Sequence, residues 1–257
     1  MEIIAITNQK GGVGKSTTSL NLGRGLQKRG YNVLYIDLDS QQNLSYTMEA
    51  NPSMPTSYEL LKEEVGLKDS IQTTVSGDLI AASAQLANSN RDIIKTNVLK
   101  NSLESEKLDY DFVIIDSPPA LSILTINALT AANRAIIPAQ ADIYSLQAIS
   151  QLYSTIESVQ RNANRGLVIA GILLTRYNNR AILSRDLTEL INKTAQKIQT
   201  KVYRSRVREA IAIKESQAMQ TDIFTYAPSS KVAKDYDDFI EELLLDIDDK
   251  GENNNGK

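Results

Sequence analysis

Short apolar runs alternate with longer stretches of helical periodicity along most of the chain. Apolar runs joined by helix-length connections are the signature of a parallel sheet covered on both faces. Strands are expected at Ile3–Thr7, Val33–Asp37, Leu79–Ala82, Phe112–Asp116, Ala135–Pro138 and Leu167–Leu174. Helices are expected over Lys15–Arg29, Asn88–Glu106, Leu124–Ala132, Leu146–Gln160 and Ile182–Thr200. A final amphipathic segment places Val232, Tyr236, Phe239, Ile240, Leu243, Leu244 and Ile247 at helical spacing, with acids on its other face. The expected fold is therefore α/β, a doubly wound and mostly parallel sheet with helices on both faces. No internal repeat or interdomain linker breaks the pattern, so residues 1–250 read as one domain and 251–257 as a flexible polar tail.

Composition narrows the chemistry. The 257 residues are 42% hydrophobic and 23% charged, which suits one sizeable core. There is no Cys and no His, so disulfides, thiolate metal sites, iron–sulfur clusters and Ser-His-Asp catalysis are all excluded. What remains is carboxylates, lysines, hydroxyls, backbone amides and a hard cation held by oxygen. The start, Met1-Glu2-Ile3-Ile4-Ala5-Ile6-Thr7, lacks the basic n-region and cleavage pattern of a signal peptide, and no apolar run is long enough to span a membrane. A cytoplasmic location is expected.

The net charge of −3 conceals an asymmetry. From Arg176 to Lys214, including Arg180, ten basic residues face three acids, so this window carries +7 and the rest of the chain −10. From Asp235 onward there are nine acids against Lys250 and Lys257. An acidic chain can still present a local basic face, and partners respond to that local field.

The first strand runs into Asn8-Gln9-Lys10-Gly11-Gly12-Val13-Gly14-Lys15-Ser16-Thr17-Thr18. Glycines between a strand and a helix let backbone N–H groups converge on an anion at the helix N-terminus. In that arrangement Lys15 reaches the β- and γ-phosphates of a nucleotide, and the Ser16 hydroxyl ligates Mg²⁺. The common pattern G-x-x-x-x-G-K-[ST] asks for glycine where Gln9 stands, and a second lysine, Lys10, precedes Gly11. Two further acidic strand ends follow, Asp37 and Asp39 in Ile36-Asp37-Leu38-Asp39-Ser40-Gln41-Gln42-Asn43, and Asp116 in Phe112-Val113-Ile114-Ile115-Asp116-Ser117-Pro118-Pro119. Carboxylates at strand ends lie at the edge of the sheet where α/β proteins bind ligands. The paired prolines turn the chain off the sheet.

These strings resemble the ParA/MinD family of deviant Walker A ATPases, a class of P-loop NTPase. Lys10-Gly11-Gly12-Val13-Gly14-Lys15-Ser16 is similar to its phosphate loop, and Asn8-Gln9 to the short, Soj-like ParA branch. Val207-Arg208-Glu209-Ala210-Ile211-Ala212-Ile213-Lys214-Glu215-Ser216-Gln217-Ala218 and Tyr226-Ala227-Pro228-Ser229-Ser230-Lys231-Val232-Ala233 extend the resemblance through most of the chain. The resemblance implies that Gly11, Gly12, Val13, Gly14, Lys15, Ser16 and Thr17 bind ATP. It gives Ser16, Asp37 and Asp116 to the Mg²⁺ side, and Asp39 to positioning the attacking water. Lys10 would reach a dimer partner's nucleotide, and Thr175, Arg176, Arg208 and Glu209 would lie near adenine. Ser40 stands where the family has proline.

The function so implied is a partition ATPase that forms an ATP-dependent sandwich homodimer on the nucleoid. It would bind duplex DNA without sequence preference and hydrolyse ATP when stimulated by a ParB-type centromere-binding partner. The chain starts directly at the first strand, so an operator-binding domain of its own is not expected. For DNA the charge pattern points to Arg185, Lys193, Lys197, Lys201, Arg204, Arg206 and Lys214. Lys193, Lys197 and Lys201 would form an outward helical stripe continued by arginines in the following loop, opposite an inward face of Ile182, Leu183, Leu187, Leu190, Ile191 and Ile198. The alternative is a MinD-like or other ParA-like positioning ATPase acting on a membrane or protein cargo. The acidic end of the last helix has the wrong sign for anionic lipid, so no membrane partner is expected.

Overall fold

The computed structural model describes residues 1–178 and 182–254. Its strands are β1 (Glu2–Ile6), β2 (Val33–Asp37), β3 (Gln72–Thr74), β4 (Gly77–Ile80), β5 (Phe112–Asp116), β6 (Arg134–Ala139), β7 (Val168–Tyr177) and β8 (Val202–Arg208). The first half of the chain adds α1 (Lys15–Gln27), α2 (Asn43–Thr47), α3 (Ser57–Leu61), α4 (Leu67–Ser70), α5 (Ser89–Asp92) and α6 (Val98–Ser105). The second half adds α7 (Ile123–Ala131), α8 (Ile143–Asn162), α9 (Ile182–Lys197), α10 (Ile211–Ala218), α11 (Ile223–Tyr226) and α12 (Lys231–Asn254). The eight strands form one sheet in the order β3-β4-β2-β5-β1-β6-β7-β8. Only the β3–β4 pair is antiparallel among the described residues. The α/β, mostly parallel expectation holds.

The central strands are apolar throughout because both their faces are covered. Odd and even residues go to different layers: Ile3, Ala5, Leu34, Ile36, Val113 and Ile115 belong to one core, Ile4, Ile6, Val33, Tyr35 and Ile114 to the other. The first core is closed by α6, α7, α8 and α9, the second by α1, α11 and α12. Register puts Ile6, Asp37 and Asp116 level at the carboxyl edge. That edge, over β1 where connections diverge to both sides, is where an open α/β sheet holds its ligand.

Four expectations need correction. The stretch Asn88–Glu106 is not one helix; α5 and α6 are separated at residues 93–97, where Ile93 turns into the core and the Lys95 carbonyl accepts from the Asn127 amide at 2.9 Å. Arg204, Arg206 and Arg208 do not lie in a loop but on β8, the edge strand, with Tyr203 and Val207 facing inward between them. The lysine stripe is cut short, because α9 ends at Lys197 and Gln199 adopts φ 54°. Lys201 therefore turns to Glu242 and Asp246 of α12. Finally, Leu190 is 44% exposed and does not join the inward face of α9, where Leu187, Ile191 and Ala195 are buried. Arg180 and the side chains of Ile182 and Leu183 lie outside the described residues, and 251–257 fall partly on the end of α12 and partly outside them.

Helix α1 lies close on the sheet at Gly23 and close on α12 at Gly25. A Cβ at Gly23 would sit 2.3 Å from the Tyr35 ring, and one at Gly25 would sit 2.2 Å from Ile240. Tyr35 is fully buried and has no room to yield. Gly23→Ala gains about 1 kcal/mol of helix propensity but forces overpacking. We expect a net loss of about 1–3 kcal/mol in urea unfolding; a variant as stable as the parent would show that the helix can lift off Tyr35 at no cost.

Candidate functional site

The anion cradle is built by the turn from β1 into α1. Gly12 and Gly14 have φ of 74° and 82°, a left-handed backbone that ordinary side chains disfavour. Gly14 is the N-cap of α1 and no side chain caps it, so the first N–H groups of the helix are left for a ligand. The loop is held from outside. The Asn8 amide donates to the Pro138 carbonyl at 2.7 Å, Gln140 to the Gly12 carbonyl at 3.1 Å and the Thr175 hydroxyl to the Val13 carbonyl at 2.8 Å. Loop and cradle are thus pinned to β6 and β7.

A cavity of about 710 Å³ opens over this turn. Gly11, Gly12, Gly14, Lys15, Ser16 and Thr17 line its floor, and Asp39 lines one wall. Thr175, Arg176, Arg208 and Glu209, the four residues expected near adenine, line its far end together with Lys214. Arg176 pairs with Glu209 at 2.9 Å, and Arg208 grips Asp235 with two hydrogen bonds of 2.6 Å. These pairs set the shape of the far wall. Val13 is buried beneath the loop and contributes its carbonyl, not its side chain.

Three carboxylates and one ammonium are withdrawn from water beside this cavity. Lys15, Asp37, Asp39 and Asp116 are all buried. Burial lowers Lys15 from the ordinary lysine range, while Asp116 and Asp39 pull it back. Burial, then the neighbouring Asp37 charge, pushes Asp116 up to about 8 against the bond from Ser16 and the Lys15 charge. Burial also raises Asp37 to about 6.

The two level acids do different work. Asp37 is not on the cavity wall. One of its oxygens accepts from the Asp39 amide at 3.0 Å, the other from the Ser45 amide and hydroxyl at 2.9 and 2.7 Å. It shapes the loop that carries Asp39. Asp116 accepts from the Ser19 hydroxyl on one oxygen at 3.1 Å, and its Oδ2 is buried without a partner. An orphaned oxygen on a carboxyl that also neighbours the Ser16 hydroxyl suits a hydrated cation. Among the described residues no group of three acids is placed to hold a metal ion.

The Lys10 side chain points away from the cavity. It forms an ion pair with Asp142 and lies 3.5 Å from the Ser145 hydroxyl. Asp142 caps α8, accepting from the Ser145 amide at 2.9 Å. In the sequence Asp142 is marked only by its place after a strand, although Asp-x-x-Ser before an amphipathic run is a recognisable helix start. Gln217 falls within a stretch that carries the family resemblance but has no role assigned there, and Ser19 and Ser45 have no mark at all, since single hydroxyls carry no pattern until the fold places them. Of the expected DNA residues, Arg185, Lys193 and Lys197 lie on α9 and Arg204 and Arg206 on β8, all exposed, whereas Lys201 is paired with α12 and Lys214 lines the cavity instead. Lys193 pairs with Glu189, and Arg206 both donates to the Tyr177 hydroxyl at 2.7 Å and lies over its ring.

Ser45 joins three parts of the site, since its hydroxyl donates to Asp37 and accepts from the Ala82 amide at 2.8 Å. Ser45→Ala orphans a buried amide and weakens the hold on a buried carboxylate. The expected cost is about 1–3 kcal/mol by denaturant unfolding, and no change in midpoint would mean that water replaces the hydroxyl.

An AAA domain family model matches residues 1–169. The sporulation initiation inhibitor protein Soj of Bacillus subtilis is 39% identical over 94% of this chain and 98% of its own length. The chromosome-partitioning ATPase Soj of Treponema pallidum is 31% identical over 94% of this chain and 96% of its own. Among solved structures, cobyrinic acid a,c-diamide synthase from Mycobacterium smegmatis with bound ATP analog and magnesium superposes with a TM-score of 0.81 at 31% identity, covering 95% of this chain and 94% of that one.

Proposed function

The chain belongs to the Soj/ParA family within the ParA/MinD ATPases, and from that premise we propose that it is a partition ATPase that binds ATP with Mg²⁺ and hydrolyses it in a DNA-bound sandwich dimer. One observation carries the reading: Lys15, Ser16 and Asp39 converge on a single cavity at the carboxyl edge of the sheet, above an uncapped helix N-terminus. The same kind of site serves a synthase in one solved relative. That relative is a precedent for the nucleotide and the ion, not for the substrate.

In this mechanism the cradle N–H groups and Lys15 bind and orient the β- and γ-phosphates. Ser16, with Asp116 through water, would hold the Mg²⁺, which neutralises phosphate charge when bound. Asp39 accepts a hydrogen bond from a water molecule and aims its oxygen at the γ-phosphorus. The water oxygen bonds to phosphorus, the bond to the ADP oxygen breaks, and the proton leaves with the phosphate. Lys10 lies outside the cavity, so reaching a second copy's nucleotide requires it to exchange Asp142 for phosphate. That exchange makes dimer formation depend on ATP.

The basic residues of α9 and β8 supply the duplex-binding face. They are spaced as a patch of cations with no base-reading array, as backbone contact requires. A ParB-type partner accelerates turnover in this reading, and nucleoid association follows from DNA binding. A membrane role is not favoured. No described helix is long and apolar enough to cross a bilayer, and α12 carries acids where a lipid-binding helix carries lysine.

The decisive measurement is ATPase activity with and without duplex DNA. Asp39→Ala should retain ATP binding by calorimetry while turnover falls about 10²-fold or more, whereas Lys15→Ala should lose binding itself. Turnover by Asp39→Ala at the parental rate would remove the water-positioning role. For the DNA face, Lys197→Ala/Arg206→Ala should weaken binding equally across sequences. Its log–log salt slope should fall by about 1.8, at about 0.9 for each phosphate that is no longer neutralised. An unchanged slope and affinity would move the DNA face elsewhere.

A further inference from the structure

We infer that Gln217 is a nucleotide-positioning residue: through Thr17 it aims a hydroxyl hydrogen at the phosphates and ties α10 to the phosphate loop. The inference rests on the nucleotide reading and adds to it a residue 200 positions from the loop it serves. Gln217 Nε2 donates to Thr17 Oγ1 at 2.8 Å, and both residues line the cavity. A threonine hydroxyl has one hydrogen and two lone pairs, and an amide nitrogen accepts nothing. With Gln217 occupying a lone pair, the hydroxyl hydrogen is left for another acceptor.

In a helix that hydrogen usually returns to the carbonyl four residues back. Here that carbonyl is Val13, which already accepts from the Thr175 hydroxyl at 2.8 Å. The carbonyl three back, Gly14, accepts from the Thr18 amide at 2.9 Å. Among the described residues no protein acceptor takes the Thr17 hydrogen. Thr17 is the third residue of α1, where the backbone N–H is also free of an intrahelical partner. Two donors of one residue thus border a cavity shaped for anionic oxygen.

The tie can be cut without dismantling the fold. Thr17, Asn21 and Arg24 lie along one face of α1, and each holds the segment that follows β8. Asn21 Oδ1 accepts from the Ile223 amide at 2.9 Å, and Arg24 donates to Asp222 at 3.0 Å. Those two bonds secure α11 whether or not a nucleotide is present. Of these three ties, that of Gln217 is the one that reaches the phosphate loop. α10 is tied to the phosphate loop through that side chain, and its Lys214, one turn earlier, lines the same cavity.

The test is calorimetric titration of Mg·ATP and ADP into the parent, Gln217→Leu, Gln217→Glu, Thr17→Val and Thr17→Val/Gln217→Leu, with nucleotide-free melting in parallel. Gln217→Leu should weaken binding about tenfold, the worth of one well-aimed hydrogen bond to a charged group. Gln217→Glu keeps the shape but should weaken binding further, because its carboxylate accepts the Thr17 hydrogen and adds negative charge. The double variant should bind no worse than Thr17→Val, since Gln217 acts through that hydroxyl. A purely packing role for Gln217 would make the two losses add, and that result overturns the inference, as does parental affinity in Gln217→Leu and Gln217→Glu. A parent that binds no nucleotide would instead sink the ATPase reading, and the inference with it.

Discussion

Lys15 is held out of water against Asp116 and Asp39, and much of the remaining structure serves to keep that charge set dry and in place. Three buried carboxylates around one buried ammonium leave an excess of negative charge that the protein alone does not neutralise. The register of β2 and β5 makes this unavoidable, because Asp37 and Asp116 end adjacent strands at the same level. Two solutions are used. Asp37 is satisfied internally by two amides and a hydroxyl. Asp116 keeps an orphaned oxygen, which an incoming cation or its water would satisfy. The fold thus stores an unmet demand at the place where a phosphate-bound ion would arrive.

The positive side of the site is organised by α1. Its N-terminus is open to anions, its interior passes under the sheet on glycines, and its outer face grips the chain from Gln217 to Asp237. Thr17, Asn21 and Arg24 make polar ties, Lys28 lies over the Phe224 ring, and Arg29 bonds Asp237 at 2.7 Å. A displacement at the phosphate end would be felt along this whole line. Asp222 shows how firmly its middle is set. Burial raises its carboxyl, yet the Thr225 bonds and Arg24 outweigh burial and hold it below the usual range. That bond therefore stabilises the fold above the unfolded carboxylate range and is lost only as pH falls through the lowered value.

The sheet centre and the phosphate loop are legible in the sequence because their signals are local. Continuous apolar runs ending in Asp37 or Asp116 can only be covered strands, and Lys10 to Thr17 place glycines and cations at fixed spacing. β8 is not legible as a strand. Its inward Tyr203 and Val207 are interleaved with Arg204 and Arg206, and the basic run hides the period of two. The break before α6 is hidden for the opposite reason, since Ile93 is apolar in a helical register but fills the core from an extended segment. Pairs such as Lys10 with Asp142, 132 residues apart, have no local trace at all. Only the order of strands brings the loop after β1 beside the loop after β6.

That order also decides what becomes of the charge asymmetry. The basic window and the acidic end are not two separate faces, because α12 packs along β8. Asp235 takes Arg208, while Glu242 and Asp246 take Lys201. Glu242 further accepts from the amides of Arg204 and Ser205 at 3.0 and 3.1 Å, so a carboxylate of α12 takes up two backbone donors of the edge strand. The edge is blunted against aggregation by the same side chain that lowers its field. What remains outward is smaller than the sequence count of +7 and displaced toward α9, where Arg185 and Lys197 take no part in the described ion pairs. Any polyanion meeting this face therefore encounters a narrow row of cations bordered by acid. Such a surface binds weakly as one copy and gains strength steeply when two copies present their rows together. In the function proposed above, coupling DNA affinity to assembly needs no change in the row itself, only a second molecule.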